Sequence, residues 1–255
     1  RFLTGYKEKI RVHLMLETGM NRLGIAEHEI GKLLGLLDSS TTMEVAGIMS
    51  HLAAAPNPEE DSYTHHQAKL FKQMASCIEQ HLRVSTTKHI LNSAGVMRFP
   101  AYHFDMIRLG IGLYGVGMPD SINQYLEVAS TLKTVVSQIK YISKGATIGY
   151  DRRGIAHEDM KIATIAIGYA DGFRRAMGNG RGSVVVNNCL APVVGNVCMD
   201  MAMVDVTHIP VAVGDEVVIF GKDRPIAEVA EVLDTIVYEV LTSVSERITR
   251  IYYTG

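Results

Sequence analysis

The chain has little cysteine. Cys77, Cys189 and Cys198 are too few and too scattered for a disulfide framework or a zinc site, so no metal centre is expected and a reducing compartment, the cytoplasm, is the default. It has no excess of positive charge either. A formal net charge of -2 leaves no basic footprint, which argues against nucleic acid as a partner. No apolar run comes near the roughly 18 residues that a membrane span requires. Signal peptide, internal repeat, low-complexity tract and long charge run are all missing. So is an initiator methionine: the chain opens with Arg1-Phe2-Leu3, as a fragment or a processed chain does. What is present is 255 residues, 47% hydrophobic and 20% charged. That is the composition of a globular protein with room for one large domain or two ordinary ones.

Residues 1 to about 115 alternate strand-like and helix-like segments. Strands are predicted at Arg11 to Glu17, Val45 to His51, His89 to Ser93 and Met106 to Tyr114, and helices at Gly24 to Leu37 and Ser62 to Glu79. Such alternation implies parallel βα units, here about half of an eight-stranded barrel. After about Asp120 the texture changes to closely spaced strand-like runs: Thr131 to Ile142, Lys161 to Ile167, Gly182 to Val186, Ala191 to Val197, Met201 to Val206 and Glu216 to Phe220. Turn residues such as Asn187-Asn188 and Gly214-Asp215 separate them, which predicts an antiparallel β domain with one helix near Ile226 to Leu233. The expected architecture is α/β plus β, a partial (β/α)8 barrel over 1–119 and a C-terminal β domain over 120–255.

The stretch from Asn92 to Gly115, NSAGVMRFPAYHFDMIRLGIGLYG, carries the most chemistry. Asn92-Ser93-Ala94-Gly95 is a small polar turn able to cradle an anion. Arg108 sits in an apolar run, where a guanidinium is costly to bury without partners. It is either a structural ion-pair member or a functional cation, and Gly110 and Gly112 beside it would let a phosphate approach bare backbone. In a barrel the functional residues sit at the C-terminal ends of strands. Here those ends carry Glu17-Thr18-Gly19, His51, Asn92-Ser93 and Gly110-Ile111. A single histidine after a strand can be purely structural; several polar residues at equivalent ends have no use in core packing. In the β domain, Tyr150 and Tyr169 each follow a glycine in turn-like sequence, and Cys198-Met199-Asp200 ends another strand. Asp171, Asp200 and Arg174 are expected to form ion pairs that fix this domain.

Taken together these pieces resemble the pyridoxal-phosphate-dependent alanine racemases, including the serine racemases of vancomycin resistance. The resemblance runs through Thr18-Gly19-Met20-Asn21-Arg22-Leu23-Gly24, Ser50-His51-Leu52-Ala53, Asn92-Ser93-Ala94, Arg98-Phe99-Pro100, Arg108-Leu109-Gly110-Ile111, Gly149-Tyr150, Ile167-Gly168-Tyr169-Ala170-Asp171-Gly172, Cys198-Met199-Asp200 and Tyr238-Glu239-Val240. It implies interconversion of L- and D-alanine by two-base transfer of the α-proton, supplying D-amino acid for peptidoglycan. It also implies pyridoxal 5'-phosphate as cofactor and a homodimer with shared active sites. Asn92, Ser93, Gly110, Ile111 and Tyr238 would hold the cofactor phosphate, and Arg108 would face the pyridine nitrogen. A permanent cation cannot accept the pyridinium proton, so the ring stays a poorer electron sink. Tyr150 would be the base on one face of the substrate. A free phenol is only about one part in a thousand ionised at pH 7, so His51, hydrogen-bonded towards Arg108, is the candidate for assisting it. Met199 would offer its backbone N–H to the substrate carboxylate, with Arg22 supporting the site and Tyr169 lining its entrance.

Two departures from the family's pattern stand out. The cofactor lysine, which forms the Schiff base and serves as the opposite-face base, lies in a Lys-Ala-(Asp/Asn)-Ala-Tyr-Gly segment that these residues do not contain; the 255 residues alone are therefore expected to be inactive. Met15 stands where many members carry a carbamylated lysine bracing the arginine matched by Arg22, so Arg22 needs another anion. Alanine is the family's default substrate. Serine is the alternative, since a pocket of this size rejects an added hydroxyl only weakly and Gly149-Tyr150-Asp151-Arg152-Arg153 is unusually charged. A decarboxylase of the same fold and a catalytically dead cofactor-binding domain are the more distant readings.

Overall fold

Alternation sets the first strand: Val12, Leu14 and Leu16 point one way and the exposed Arg11 and His13 the other. The computed structural model describes residues 9–117, 122 and 124–253, and the chain divides into two units at Leu113/Tyr114. The boundary expected near Asp120 lies outside the described residues.

In the first unit β1 (Ile10–Met15), β2 (Met43–Met49) and β3 (Thr87–His89) form a parallel sheet in the order β1-β2-β3. The crossovers are α1 (Ile30–Asp38) and α2 (Asp61–Leu82). Helix α2 begins after Pro58, where the Asn57 side chain accepts the Glu59 N–H, and stops at Arg83 in the left-handed conformation. Its buried residues Thr64, Gln67, Ala68, Phe71, Met74, Ala75 and Ile78 recur at helical spacing. Of these, Phe71, Met74, Ala75 and Ile78 share a core with Leu14, Leu16, Ile48, Leu52, Ile90 and Leu91. Truncating Phe71, which is wholly buried, would cost about 3–5 kcal/mol.

The fourth strand expected over Met106 to Tyr114 is not formed. One strand-like bond, from the Arg108 N–H to the Leu91 carbonyl, is followed by a 3-10 turn at Ile111–Tyr114. The Ser93 hydroxyl accepts the Gly110 and Gly112 N–H groups, which draws that backbone away from a ladder. Likewise β3 ends at His89, and Ser93 opens α3 (Ser93–Arg98), with the Asn92 side chain accepting the Gly95 N–H as its cap.

The second unit is a closed barrel. Strands β4 (Leu132–Ile142), β7 (Met160–Ile165), β8 (Ser183–Val186), β9 (Cys189–Val194), β10 (Ala202–Asp205) and β11 (Glu216–Phe220) pair antiparallel in the order β10-β7-β4-β11-β8-β9. Its interior takes β-branched and small side chains, among them Val184, Val186, Ala191, Val193, Ala202, Val204 and Val217. Asn187 and Asn188, both at positive φ, make the two-residue turn between β8 and β9. A small hairpin of β5 (Thr147–Ile148) and β6 (Gly154–Ile155) stands beside the barrel strands in sequence, and α4 (Ile226–Val232) and α5 (Val237–Ser243) follow β11. No helix of the described residues is long and apolar enough to cross a membrane.

Candidate functional site

The first unit gathers its polar residues just past the C-terminal ends of β1, β2 and β3. Thr18 and Ser50 share a buried hydroxyl contact of 2.7 Å. Gln67, wholly buried on α2, donates to the His51 carbonyl at 3.1 Å and accepts the Ala53 N–H at 2.9 Å. A helix side chain thus fixes the loop that carries His51. Glu17 accepts backbone N–H bonds across the Gly19–Arg22 loop; burial opposes its ionised form, but those bonds prevail and hold its carboxyl below the usual range.

Arg108 reaches into this cluster. It donates to the carbonyls of Ser50 (2.6 Å), His89 (3.2 Å) and Ile90 (3.3 Å), and to Nδ1 of both His51 (3.3 Å) and His89. Because a guanidinium only donates, both imidazoles must present an unprotonated Nδ1, which leaves the proton on Nε2. Their acidities agree. Burial, then the charge of Arg108, lowers the pKa of both; Arg22 adds to the effect at His51, and His13 at His89, which falls to about 4. His89 Nε2 in turn meets His13 Nδ1 at 2.8 Å. The His13 ring occupies room left by Gly47, where an added Cβ would lie 2.5 Å from a ring carbon.

His89 and Gln67 escaped the reading of the sequence, although His89 ends a strand just as the region of His51 does. Among the described residues Arg108 touches no carboxylate, and its structural ion-pair reading is set aside. Arg22 is exposed and acts on His51 through its charge; among the described residues no carboxylate pairs with it. Ser93 is buried and stands 2.8 Å from the Gly110 nitrogen. Asn92 is occupied as the helix cap.

The second unit brings Tyr169 and Met199 together. The Tyr169 N–H donates to the Cys198 carbonyl and the Ala170 N–H to the Met199 carbonyl, both at 3.0 Å. Tyr150 follows β5, and its carbonyl accepts from Asn196 at 3.1 Å. Its neighbours Asp151 and Arg152 are held at φ 58° and 54°, strain of the kind that persists at functional turns. The Tyr150, Tyr169 and Tyr238 side chains are all exposed. The expected ion pairs are formed: Arg174 pairs with Glu239, and Asp171 and Asp200 both pair with Arg247.

Comparison with known proteins accounts for both units. Residues 2–118 match the family described as "Alanine racemase, N-terminal domain" and residues 129–252 match "Alanine racemase, C-terminal domain". The alanine racemase of Vesicomyosocius okutanii is 36% identical over 243 residues, covering 95% of this chain and 67% of that protein. The chain belongs to the alanine racemase family. Among solved structures, the alanine racemase of D-cycloserine-producing Streptomyces lavendulae has a TM-score of 0.90 at 29% identity, over 97% of this chain and 67% of that one. That of Bartonella henselae, described with covalently bound pyridoxal phosphate, has a TM-score of 0.84 at 31% identity, over 96% and 67%. The chain thus spans about two thirds of these alanine racemases' length. Of the half barrel expected over 1–119, the described residues form three parallel strands.

The residues fit that cofactor. The Arg108 Nε–H has no acceptor among the described residues, its other nitrogens being engaged, and can face a ring nitrogen. The Ser93 hydroxyl accepts from Gly110 and Gly112 and keeps its own proton to donate. The N–H of Ile111, first in its 3-10 turn, has no acceptor within that turn.

Proposed function

We propose that the protein interconverts L- and D-alanine by removing and returning the α-proton, using pyridoxal 5'-phosphate. The observation that carries this reading is Arg108, a partly buried guanidinium held by carbonyls and two neutral imidazoles with no acid beside it. The bound cofactor would supply an electron sink for the α-carbanion. A cation at its ring nitrogen keeps that sink weak, which favours simple proton return over side reactions.

The remaining roles belong to the chain's own groups. The Ser93 hydroxyl and the N–H groups around Gly110 and Ile111, with Tyr238, hold the phosphate. Tyr150 moves a proton at the α-carbon on one face. Its assistance comes from His51, whose Nδ1 is engaged by Arg108 and whose Nε2–H is therefore free to donate to the phenol oxygen. Met199 offers its N–H to the substrate carboxylate, Tyr169 lines the entrance, and Arg22 adds its charge to the burial and the Arg108 charge that keep His51 neutral. Tyr150 serves the site of a second copy in a homodimer. The opposite-face lysine lies in a segment these 255 residues do not contain, so the activity is proposed for the protein that carries it. Its product is D-alanine for peptidoglycan. The relatives' names favour alanine, and no feature of the structure favours serine.

The test is racemisation of L- and D-alanine, with serine in parallel, by the full-length protein and its Tyr150→Phe variant. The variant is expected to lose about 10²–10⁴ in rate and to stop exchanging the α-proton with solvent on one face, while the absorbance of bound cofactor is kept. Normal rates in both directions would refute the role of Tyr150. No turnover by a cofactor-loaded parent would refute the activity.

A further inference from the structure

The second unit holds a constellation that no role above uses. Asp171 is only 4% exposed, and a carboxylate so buried requires partners. Its Oδ2 accepts the Gly168 N–H at 2.8 Å, and its Oδ1 accepts Arg247 Nε–H at 2.6 Å. The same guanidinium donates through Nη2 to Asp200 Oδ1 at 2.9 Å. One cation on the tail after α5 therefore bridges two carboxylates, one in each of the turns that carry Tyr169 and Met199. The Ser245 N–H closes a third tie, to the Asp171 carbonyl, at 3.1 Å.

Those two turns touch backbone to backbone. A Cβ at Gly168 would lie 2.3 Å from the Met199 carbonyl oxygen and 2.4 Å from that of Cys198, so only glycine allows the approach. The bonds from Tyr169 to Cys198 and from Ala170 to Met199 span the gap. Both turns lie outside the six barrel strands; their flanking residues Ile167, Phe173, Val197 and Ala202 are buried in the barrel's core, and the turn residues between them meet through these polar ties. The Met199 N–H has no acceptor among the described residues, and its direction is set by the turn whose carbonyls are held this way.

We infer that Arg247 is a positioning residue: by clasping Asp171 and Asp200 it locks the Gly168–Gly172 turn to the Cys198–Met201 turn and so aims the Met199 N–H at the substrate carboxylate. The inference rests on the role proposed for Met199. A planar guanidinium can engage two carboxylates through separate N–H groups, whereas an ammonium is a point charge without that fork.

The test measures amide hydrogen exchange and steady-state kinetics on the full-length holoenzyme, comparing the parent with Arg247→Ala and Arg247→Lys. In Arg247→Ala the Tyr169 and Ala170 amides are expected to exchange at least about tenfold faster, while those of β8 and β9 keep their rates. KM for alanine should rise by about tenfold with kcat changed by less than about twofold, the pattern of lost substrate binding. Arg247→Lys should recover part of both. Unchanged exchange at Tyr169 and Ala170 overturns the clasp, and so does a uniform acceleration across the barrel. Local loosening with an unaltered KM overturns its link to substrate. Should Arg247→Ala fail to fold, Asp200→Asn removes one exposed arm of the clasp and is read in the same way. An inactive parent would count against the proposed function, and the exchange ratios would still decide on the clasp.

Discussion

His89 should make the first unit sensitive to mild acid, by an amount that follows from its surroundings. The imidazole is 2% exposed, and its pKa falls from 6.5 to about 4 through burial, then the charges of Arg108 and His13. On acidification the unfolded chain binds a proton near pH 6.5, while the folded protein resists until about pH 4. Across that window the unfolded state carries more protons, so stability is full above pH 6.5 and drains away as pH falls. At about 1.4 kcal/mol per pH unit the contribution is about 3 kcal/mol. Protonation would also turn the Nδ1 acceptor into a donor facing the Arg108 N–H. The comparison is His89→Asn, whose side-chain oxygen can accept from Arg108 but does not titrate. Exchange of the β2 and β3 amides, followed from about pH 7.5 to about pH 4.5, reports the opening of this unit. The parent should lose about 3 kcal/mol more than the variant. Equal losses, or an His89 ring proton resonance titrating near 6.5, would refute the reasoning.

Two further outcomes follow from the same region. Gly47→Ala should displace the His13 ring and break its bond to His89 at small net cost, within about 1 kcal/mol, because a lost hydrogen bond offsets the reduced freedom of the unfolded chain; thermal unfolding checks the cost and the imidazole nitrogen shifts of His89 check the broken bond. Ser93→Ala should leave the Gly110 N–H without its acceptor, costing about 1–3 kcal/mol, and weaken retention of pyridoxal phosphate on dialysis; unaltered retention would count against Ser93 as a phosphate ligand.

Much of the fold was legible because its periods are strong. Helix α2 shows its inward face in every third or fourth residue, and the Asn187-Asn188 turn marks a hairpin by its chemistry. Met106 to Tyr114 misled because an apolar run looks like a strand whether or not a ladder receives it, and the hydroxyl that claims its N–H groups lies 17 residues away. The β5 and β6 segments are two residues each, too short to show alternation, and α5 is rich in residues that favour strands. At the site, Arg108 drew notice as a charge in an apolar run. His89 did not, since its meaning comes from two partners on other elements. Asp171 and Asp200 announced themselves as ion-pair members, but a partner 76 residues from Asp171 leaves no local mark.

The mooring of Arg108 has a consequence for how this site can change over generations. Three of its acceptors are peptide oxygens, those of Ser50, His89 and Ile90, and no substitution of a side chain deletes a peptide oxygen. A change at position 50 or 90 would disturb the hydroxyl contact to Thr18 or the core packing of Ile90, yet it would leave the arginine's acceptors in being, provided the strand ends keep their places. The cation is inherited with the sheet.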